Sequence, residues 1–304
     1  MKKRIGKFQN MDSGVLCTSD MKKLRYRLFY AFLWALMLFW FTIVILPCLW
    51  LAVSGFKTAA EINASENVTF FPKEFDLSKL VYAWNTLHYQ KYYINTFFLA
   101  IGCVISDLLV SGIAGYVLSR LRPRGYKLVL GLVFCLMILP HTGTTVPLYI
   151  TFKNGIIPGV SMLNTYWPMW LMAGASMFNI ILFKTNFDGI SKSLVEAAKL
   201  DGASDLSIFI RIMVPLSIPV IMTVSLFTFN GQFGNFFWPN LVITDPNKYT
   251  LGVQVYKIQN TVNASLTDDI KMMGIIFAIL PQLLIFSLFQ KHIIGGINLG
   301  GVKG

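Results

Sequence analysis

One uninterrupted apolar run constrains this chain more than any other feature of its sequence. Leu28–Phe56 contains no charged side chain, and about 20 apolar residues are enough for an α-helix to cross the hydrocarbon core of a bilayer. A second charge-free run covers residues 212–244, which is longer than one crossing requires. Backbone N–H and C=O groups in lipid must be satisfied within the chain, so such runs are helical. The sequence therefore predicts an all-α integral membrane protein.

The composition agrees with this prediction. Of 304 residues, 55% are hydrophobic and only 13% are charged, whereas a soluble domain carries about a quarter charged residues. A net charge of +12 would suggest nucleic acid as the partner of a soluble chain, but here the positions of the charges explain it, and no nucleic-acid partner is predicted. The sequence shows no metal-ligand or disulfide spacing among its scattered cysteines and histidines, which are Cys17, Cys48, Cys103, Cys135, His88, His141 and His292.

Hydropathy divides the chain into six predicted spans and a polar loop. The spans are predicted within 28–56, 93–118, 128–150, 162–183, 212–244 and 272–290. Prolines interrupt the third span at Pro140 and Pro147 and suggest an irregular entry to the fifth. The predicted organisation is a tail at 1–27, the first span and an extracellular segment at 28–92, a core at 93–290 that contains the polar loop (residues 185–215), and a tail at 291–304.

The basic residues orient these spans. Six crossings place both termini on one side, together with the loop at 120–127 and the polar loop. These segments, with Lys184 beside the polar loop, hold 18 of the 26 Lys and Arg residues. Because cytoplasmic loops of membrane proteins are enriched in Lys and Arg, the sequence predicts that both termini and the polar loop are cytoplasmic.

The polar loop reads as a helix, a glycine turn and a second helix. Ser193 is a suitable N-cap, and Glu196 three residues later completes a capping box. Gly202 stands where a helix is best terminated, and a second helix can start at Ser204 or Asp205. A small-faced helical hairpin between membrane spans is best explained as a contact site for a partner protein.

The spacing within this loop resembles a known family. Glu196-Ala197-Ala198, then Gly202 after three residues and Ile212-Met213-Val214-Pro215 after nine more, resembles the EAA loop (E-A-A-x3-G-x9-I-x-L-P) of permease subunits in binding-protein-dependent ABC importers. Val214 in place of Leu is the only departure. In that family the loop docks on the ATP-hydrolysing subunit, so the resemblance implies that five residues couple this chain to an ATPase: Glu196, Ala197, Ala198, Asp201 and Gly202.

The resemblance extends over nearly the whole chain, to sugar permeases of the maltose-permease type. It is carried by Phe56-Lys57-Thr58, Tyr93-Ile94-Asn95-Thr96, Ala114-Gly115-Tyr116, Pro140 with Pro147-Leu148-Tyr149, Leu163-Asn164-Thr165 and the ending from Gln290-Lys291 to Gly304. It implies a MetI-like permease core in a prokaryotic cell membrane that imports a sugar, an oligosaccharide in particular. The implied partners are two copies of an ATP-binding subunit, which hold ATP and Mg, a second homologous permease, an extracellular solute-binding protein, membrane lipid and the sugar.

Two places in the spans are candidates for the sugar path. Planar amides and aromatic faces bind sugars, and the fifth span offers Asn230, Gln232, Asn235 and Trp238. These amides could instead join helix–helix hydrogen bonds. Phe233-Gly234 stands where many relatives have Trp-Asn, so the identity of the sugar does not transfer from a relative.

The second candidate is Asp107 in the middle of the second span, where an acid costs about 2.5–3.5 kcal/mol on insertion scales and must face protein or water. It could accept a hydrogen bond from a sugar hydroxyl, or pair with a polar group on a neighbouring helix or in the partner subunit.

Other function classes fit the sequence less well. The chain has no phosphate-binding glycine loop with Lys-Ser/Thr, so it is not itself an ATPase and no catalytic residue or bound cofactor is predicted. Polyol and glycerol-phosphate importers of the same family remain alternatives. An ion-coupled secondary transporter would carry repeats and several buried ionisable residues, and a membrane enzyme would carry a paired acid and base or a metal site.

Overall fold

The structure is a computed structural model that describes residues 24–64, 69–139, 141–260 and 266–297. All regular elements in these ranges are helical, which confirms the predicted all-α class. The α-helices are α1 (Leu24–Ser54), α2 (Ala59–Ile62), α3 (Ser78–Leu87), α4 (Tyr89–Tyr116), α5 (Tyr126–Ile138), α6 (Thr145–Asn154), α7 (Trp167–Gly174), α8 (Met177–Gly189), α9 (Lys192–Leu200), α10 (Asp205–Ile208), α11 (Val214–Leu216), α12 (Ile218–Gly234), α13 (Phe237–Val242), α14 (Leu251–Asn260) and α15 (Asp268–Ile297). Two segments are 3-10 helical, His141–Thr144 and Pro246–Lys248, and two are π-helical, Val117–Leu121 and Phe209–Met213.

The chain divides into two units, residues 1–75 and 76–304. The first unit is dominated by α1, which is apolar on all sides and has no buried residue in its most apolar window. A helix that is hydrophobic all round is typical of a membrane span. The short α2 follows with a capping box, in which Thr58 Oγ1 accepts from the Glu61 N–H at 3.2 Å and Glu61 accepts from the Thr58 N–H at 2.8 Å.

The second unit is built around α4. With its π-helical end it runs for 33 residues, Tyr89–Leu121, and it packs against α7, α8 and α12. Small residues permit the close approach. A Cβ added at Gly115 would lie 2.6 Å from Phe183 Cβ of α8, and one added at Gly102 would lie 2.2 Å from Trp170 Nε1 of α7. Membrane helices associate by such close packing because lipid supplies little hydrophobic driving force between them.

Residues before α4 also belong with this unit. Lys79 of α3 forms an ion pair with Asp269 at 3.0 Å, and the Tyr89 hydroxyl donates to the Gly274 carbonyl at 2.7 Å. The division at residue 75 falls earlier than the predicted boundary between 92 and 93, because Lys79 joins α3 to α15 and Tyr89 joins the start of α4 to α15.

Some of the predicted spans are single long helices in the structure, and others are divided. Within the residues that the structure describes, three helices are long and apolar enough to cross a membrane. They are Leu24–Ser54, Tyr89–Leu121 and Asp268–Phe289, and they correspond to the predicted first, second and sixth spans. The predicted third and fourth spans are each divided, into α5 and α6 and into α7 and α8. The second break is fixed by Ser176, whose hydroxyl caps α8 by accepting from the Asn179 N–H. Pro140 lies outside the described residues, and the count of six crossings stays a prediction.

The predicted fifth span enters irregularly, as its prolines indicated. Residues Asp205–Leu216 and Ile218–Gly234 meet at 79°, and the pair together is apolar enough for one span. Pro215 stands in the first turn of α11, which follows the π-helical segment, and Pro219 stands in the first turn of α12, which follows the bend. This position suits proline because the first N–H groups of a helix have no intrahelical acceptor.

The last helix is longer than the sequence suggested. α15 continues to Ile297, so the first residues of the predicted tail at 291–304 are helical, and the cytoplasmic position of that tail stays a prediction. The polar residues Gln290-Lys291-His292 do not break a helix, and a helix that has already formed continues at little cost through such residues. Residues 1–23 and 298–304, which hold most of both predicted tails, lie outside the described residues.

Candidate functional site

The first helix of the polar loop begins earlier than its capping pattern suggested. α9 covers Lys192–Leu200, and its N-cap is Ser191, whose hydroxyl accepts from the Ser193 N–H at 3.3 Å. The prediction that Ser193 is the N-cap and pairs with Glu196 in a capping box is therefore wrong. Both serines satisfy the capping rule, and Ser191 takes the position because Ile190, just before it, is extended at the end of α8.

The other end of α9 confirms the role of Gly202 as a helix terminator. Gly202 has φ +80°, a conformation that costs glycine nothing. Its N–H donates to the Lys199 carbonyl at 3.0 Å, and the Ala203 N–H donates to the Ala198 carbonyl at 2.9 Å. These two bonds form a Schellman motif. Ser204 then caps α10, as the sequence predicted for the second helix.

The two faces of α9 differ in a way that the sequence pattern did not reveal. Val195 is buried and Ala198 packs beside it. On the opposite face Leu200 is 90% exposed and Leu194 is 48% exposed, and Ala197 between them is exposed as well. Residues three apart on a helix are neighbours, so these three form one apolar strip, called the outer strip of α9 below. Glu196 and Asp201 are also exposed.

The second candidate site centres on Asp107 of α4, which is 1% exposed. Its Oδ1 accepts from the Ser111 hydroxyl at 2.7 Å, and its Oδ2 accepts from Asn179 Nδ2 of α8 at 2.7 Å and from the Thr228 hydroxyl of α12 at 2.6 Å. The carboxylate thus joins three helices. Of the two interpretations of Asp107, pairing with polar groups on neighbouring helices within this chain is the one that the structure shows.

Asp107 also lines a cavity of about 490 Å³. The fifth span contributes the predicted residues Gln232 and Asn235, whose side chains hydrogen bond each other at 3.4 Å. The remaining lining includes Ser176 at the α7–α8 break and Asn179 of α8, together with apolar side chains that include Leu136 and three methionines. This volume lies in the range of ligand pockets, about 300–1,000 Å³. The cavity therefore offers amide and carboxylate groups against an apolar wall.

Two predicted residues of the sugar path lie elsewhere. Asn230 is exposed on α12 and outside the cavity lining. Trp238 stands beyond the end of α12, where its ring packs against Phe152 with centroids 6.0 Å apart and against the cluster around Leu99. Neither belongs to this cavity, since Trp238 falls on the separate α13 and Asn230, although on α12, is absent from the lining. Residues in the described ranges form no group that could hold a metal ion.

Sequence reasoning missed the partners of Asp107. Asn179 had a signal, since it is an amide within an apolar segment, whereas Ser111 and Thr228 are of types too common in membrane helices to stand out. The outer strip of α9 had no signal, because leucines in a helix next to a membrane span look like core residues.

Comparison with known proteins identifies the family. Residues 108–298 match the family described as "Binding-protein-dependent transport system inner membrane component". The chain belongs to this family. The matched region of this inner membrane component contains the whole polar loop, Gln232 and Asn235, and it begins one residue after Asp107.

Individual relatives agree with the family. The "Galactooligosaccharides transport system permease protein GanQ" of Bacillus subtilis (strain 168) is 31% identical over 293 residues, which cover 94% of this chain and 99% of that protein. The "Polygalacturonan/rhamnogalacturonan transport system permease protein YtcP" of the same organism is 30% identical, with 91% and 99% covered. A solved structure described as a "bacterial ABC transporter involved in the import of the acidic polysaccharide alginate" has the same fold, with a TM-score of 0.75, 22% identity and coverage of 92% and 99%.

Proposed function

We propose that this inner membrane component is the permease subunit of an ATP-driven importer of a sugar, an oligosaccharide in particular, across the cytoplasmic membrane. The support is the family and the cargo of its relatives, which are named for transport of galactooligosaccharides, polygalacturonan, diacetylchitobiose and maltodextrin. The chain covers nearly the full length of these proteins, so the likeness extends beyond the loop motif.

The outer strip of α9 is the observation that supports the proposed mechanism. Leucine side chains exposed on a polar loop mark a protein contact site, and here they stand at the Glu196-Ala197-Ala198 motif. We assign coupling to Glu196, Ala197, Ala198, Asp201 and Gly202, as the sequence predicted, and add Leu194 and Leu200. Ala198 acts from below by supporting Val195, and Gly202 acts by ending the helix. The importer has two copies of an ATP-binding subunit, and one of them receives the strip in a cleft. ATP and Mg bind to those subunits rather than to this chain.

The cavity at Asp107 supplies this subunit's share of the sugar path. Asp107, Gln232 and Asn235 line it, and Asn179 adds a fourth polar side chain. Saccharides present hydroxyl groups that donate to and accept from such side chains. A second homologous permease would complete the path from the opposite side, and an extracellular solute-binding protein would deliver the sugar.

The proposed topology places the polar loop and both termini in the cytoplasm of a prokaryotic cell with six crossings. The bias of basic residues supports this orientation, and it puts the outer strip of α9 on the side where ATP is available. When ATP closes the two ATP-binding subunits on each other, the polar loops that they hold move with them, and the pore changes its access.

Cross-linking tests this proposal directly. We expect that Ala197→Cys, in a chain whose native cysteines are replaced by serine, forms a cross-link to a nucleotide-hydrolysing subunit in native membranes. Arg124→Cys, exposed on the neighbouring basic loop, is the matched control and is expected to react with water-soluble reagents without forming that cross-link. An Ala197→Cys variant labelled only from outside the cell would contradict the proposal, as would sugar transport by the chain alone.

A further inference from the structure

Two helices of the core, α4 and α8, are joined at two widely separated levels. At the cavity, Asn179 of α8 donates to Asp107 of α4 at 2.7 Å. At the end next to the polar loop, Ser119 Oγ donates to Asp188 Oδ1 at 2.7 Å. Asp107 and Ser119 are twelve residues apart in one helix, which is about 18 Å along its axis. The two helices are thus tied at the cavity and again at the entrance to the polar loop.

Between these levels the two helices are in close contact. A Cβ at Gly115 would stand 2.6 Å from Phe183 Cβ and 3.0 Å from the Lys184 backbone nitrogen. Phe183 and Phe187 stack with centroids 5.9 Å apart, and Tyr116 meets Phe187 edge-on at 6.2 Å. Closely packed interiors transmit displacement rather than absorb it. α4 and α8 therefore form one rigid pair that reaches from the polar loop to the cavity.

Arg120 connects this pair to α9. Its guanidinium donates to the carbonyls of Phe187 and Ile190, which are the end of α8 and the turn that precedes α9. A guanidinium is suited to this task because it presents several donors in a fixed plane, and its positive charge is favourable at the C-terminus of a helix. On the far side of the hairpin the Tyr116 hydroxyl donates to the Asp205 carbonyl at 3.2 Å. The end of α4 thus holds both the entry to α9 and the start of α10.

Polar bonds add to a small apolar contact in making this connection, in which Val195 shares a buried cluster with Tyr116 and Phe187. A cavity of about 270 Å³ lies between the end of α4 and α9, lined by Tyr116, Arg120, Lys192, Val195 and Glu196 among others. Val195 is the only residue of α9 itself that is buried. Because Val195 is the only buried side chain of α9, the bonds of Arg120 supply much of what makes α9 follow α4.

Asp188 strengthens the same joint. Burial disfavours its charge, but hydrogen bonds from Lys184 and Ser119 and the nearby Arg122 outweigh burial and hold the pKa of this carboxyl below its ordinary value. Lys184 Nζ lies 2.6 Å from Oδ2 and Arg122 3.5 Å from Oδ1. Asp188 therefore stays ionised at neutral pH and keeps Ser119 bound.

We propose that Arg120 is the positioning residue through which movement of the polar loop reaches the cavity. A displacement of α9 by the ATP-binding subunit pulls Ile190 and the end of α8 at Phe187, Arg120 passes this movement to α4 as well, and the two helices together move Asp107 and Asn179 in the cavity wall. The proposal rests on the coupling role proposed above for the polar loop.

The test measures coupling in the assembled importer, reconstituted in liposomes with its solute-binding protein and sugar. The readout is the amount of sugar transported per ATP hydrolysed. We expect Arg120→Gln to assemble, to keep the Ala197→Cys cross-link and to keep hydrolysing ATP, while sugar per ATP falls about tenfold, within the usual range of coupling between sites. Arg120→Lys keeps the positive charge and several donors but lacks the rigid guanidinium, and it is expected to fall between Gln and wild type. Arg124→Gln removes an equal charge from the same loop at an exposed position and is expected to leave the ratio unchanged.

A second variant keeps the test decisive if Arg120→Gln does not assemble. Asp188→Asn weakens the same joint from α8 and is expected to lower sugar per ATP in the same direction. An unchanged ratio in an assembled Arg120→Gln complex overturns the proposal, and so does loss of assembly in both variants, since Arg120 would then be only structural. Absence of the Ala197→Cys cross-link in the otherwise wild-type complex would instead remove the coupling role of the polar loop itself.

Discussion

Replacing Asp107 separates the hydrogen bonds of this carboxylate from its charge. In Asp107→Asn the amide oxygen can take the place of Oδ2 and accept from Asn179 and Thr228, while the amide nitrogen donates to the Ser111 hydroxyl, which can accept. All three contacts, now 2.6–2.7 Å, survive with neutral strength. In Asp107→Ala all three are lost.

The structure sets the size of both effects. In Asp107→Ala the two hydroxyls can turn to a backbone carbonyl one helical turn back, but Asn179 Nδ2 is left without an acceptor. A hydrogen bond to a charged group contributes about 1.5–3 kcal/mol, and the lost side-chain volume adds to this loss. We expect a loss of about 3 kcal/mol in helix packing for Asp107→Ala and about 1 kcal/mol for Asp107→Asn, since a charged hydrogen bond is only about twice as strong as a neutral one.

The assay is thermal unfolding of the purified chain in detergent, followed by loss of the monodisperse peak. With about 2–4 °C per kcal/mol for a chain of this size, Asp107→Ala is expected to lower Tm by about 6–12 °C and Asp107→Asn by about 2–4 °C. Equal shifts for the two variants would refute the reasoning, because the bonds would then not be what stabilises the core. A normal Tm with abolished uptake in Asp107→Asn would show that the charge itself serves transport, as an ion-coupled transporter requires.

Two further substitutions test glycines. Gly202→Asp is expected to leave insertion intact and to abolish uptake and stimulated ATP hydrolysis in the assembled complex. A Cβ there meets nothing within 4 Å in this chain, so the cost within the chain is only that of the left-handed backbone, about 1–2 kcal/mol. Any larger loss of function must come from a clash with a partner. Normal uptake would remove the coupling assignment. Gly115→Ala is expected to lower Tm by more than Gly131→Ala, a control with no atom within 4 Å of the added Cβ, because α8 must move away by several tenths of an ångström. Equal Tm values for these two variants would contradict the close packing of α4 on α8.

The sequence predicted the features that depend on local rules. Gly202 terminates α9 because only glycine takes its φ without strain. Ser204 caps α10 because its hydroxyl accepts a hydrogen bond from an N–H group in the first turn of that helix. The long charge-free run at the start of the chain became one long helix for an equally local reason. In these places the neighbouring residues alone decide the outcome.

Features that depend on distant residues were predicted less well. Ser191 and Ser193 satisfy the same capping rule, and the path of α8 decides between them. The division of the third and fourth spans depends on what packs around each break, and hydropathy averages over that. Asp107 was recognised as a residue that needs a partner, but Asn179 and Thr228 are 72 and 121 residues further along the chain, and no local pattern relates them to it.

The outer strip of α9 has a consequence for the life of the free subunit. Leu200, with nine-tenths of its surface open, is a ready site for chaperones and for the proteases that remove orphan membrane proteins, since exposed apolar surface is what these systems bind. If the outer strip binds the proposed ATP-binding subunit, a cell that makes this chain in excess of that subunit is expected to degrade the surplus, and the amount that survives would report how much of that subunit is present.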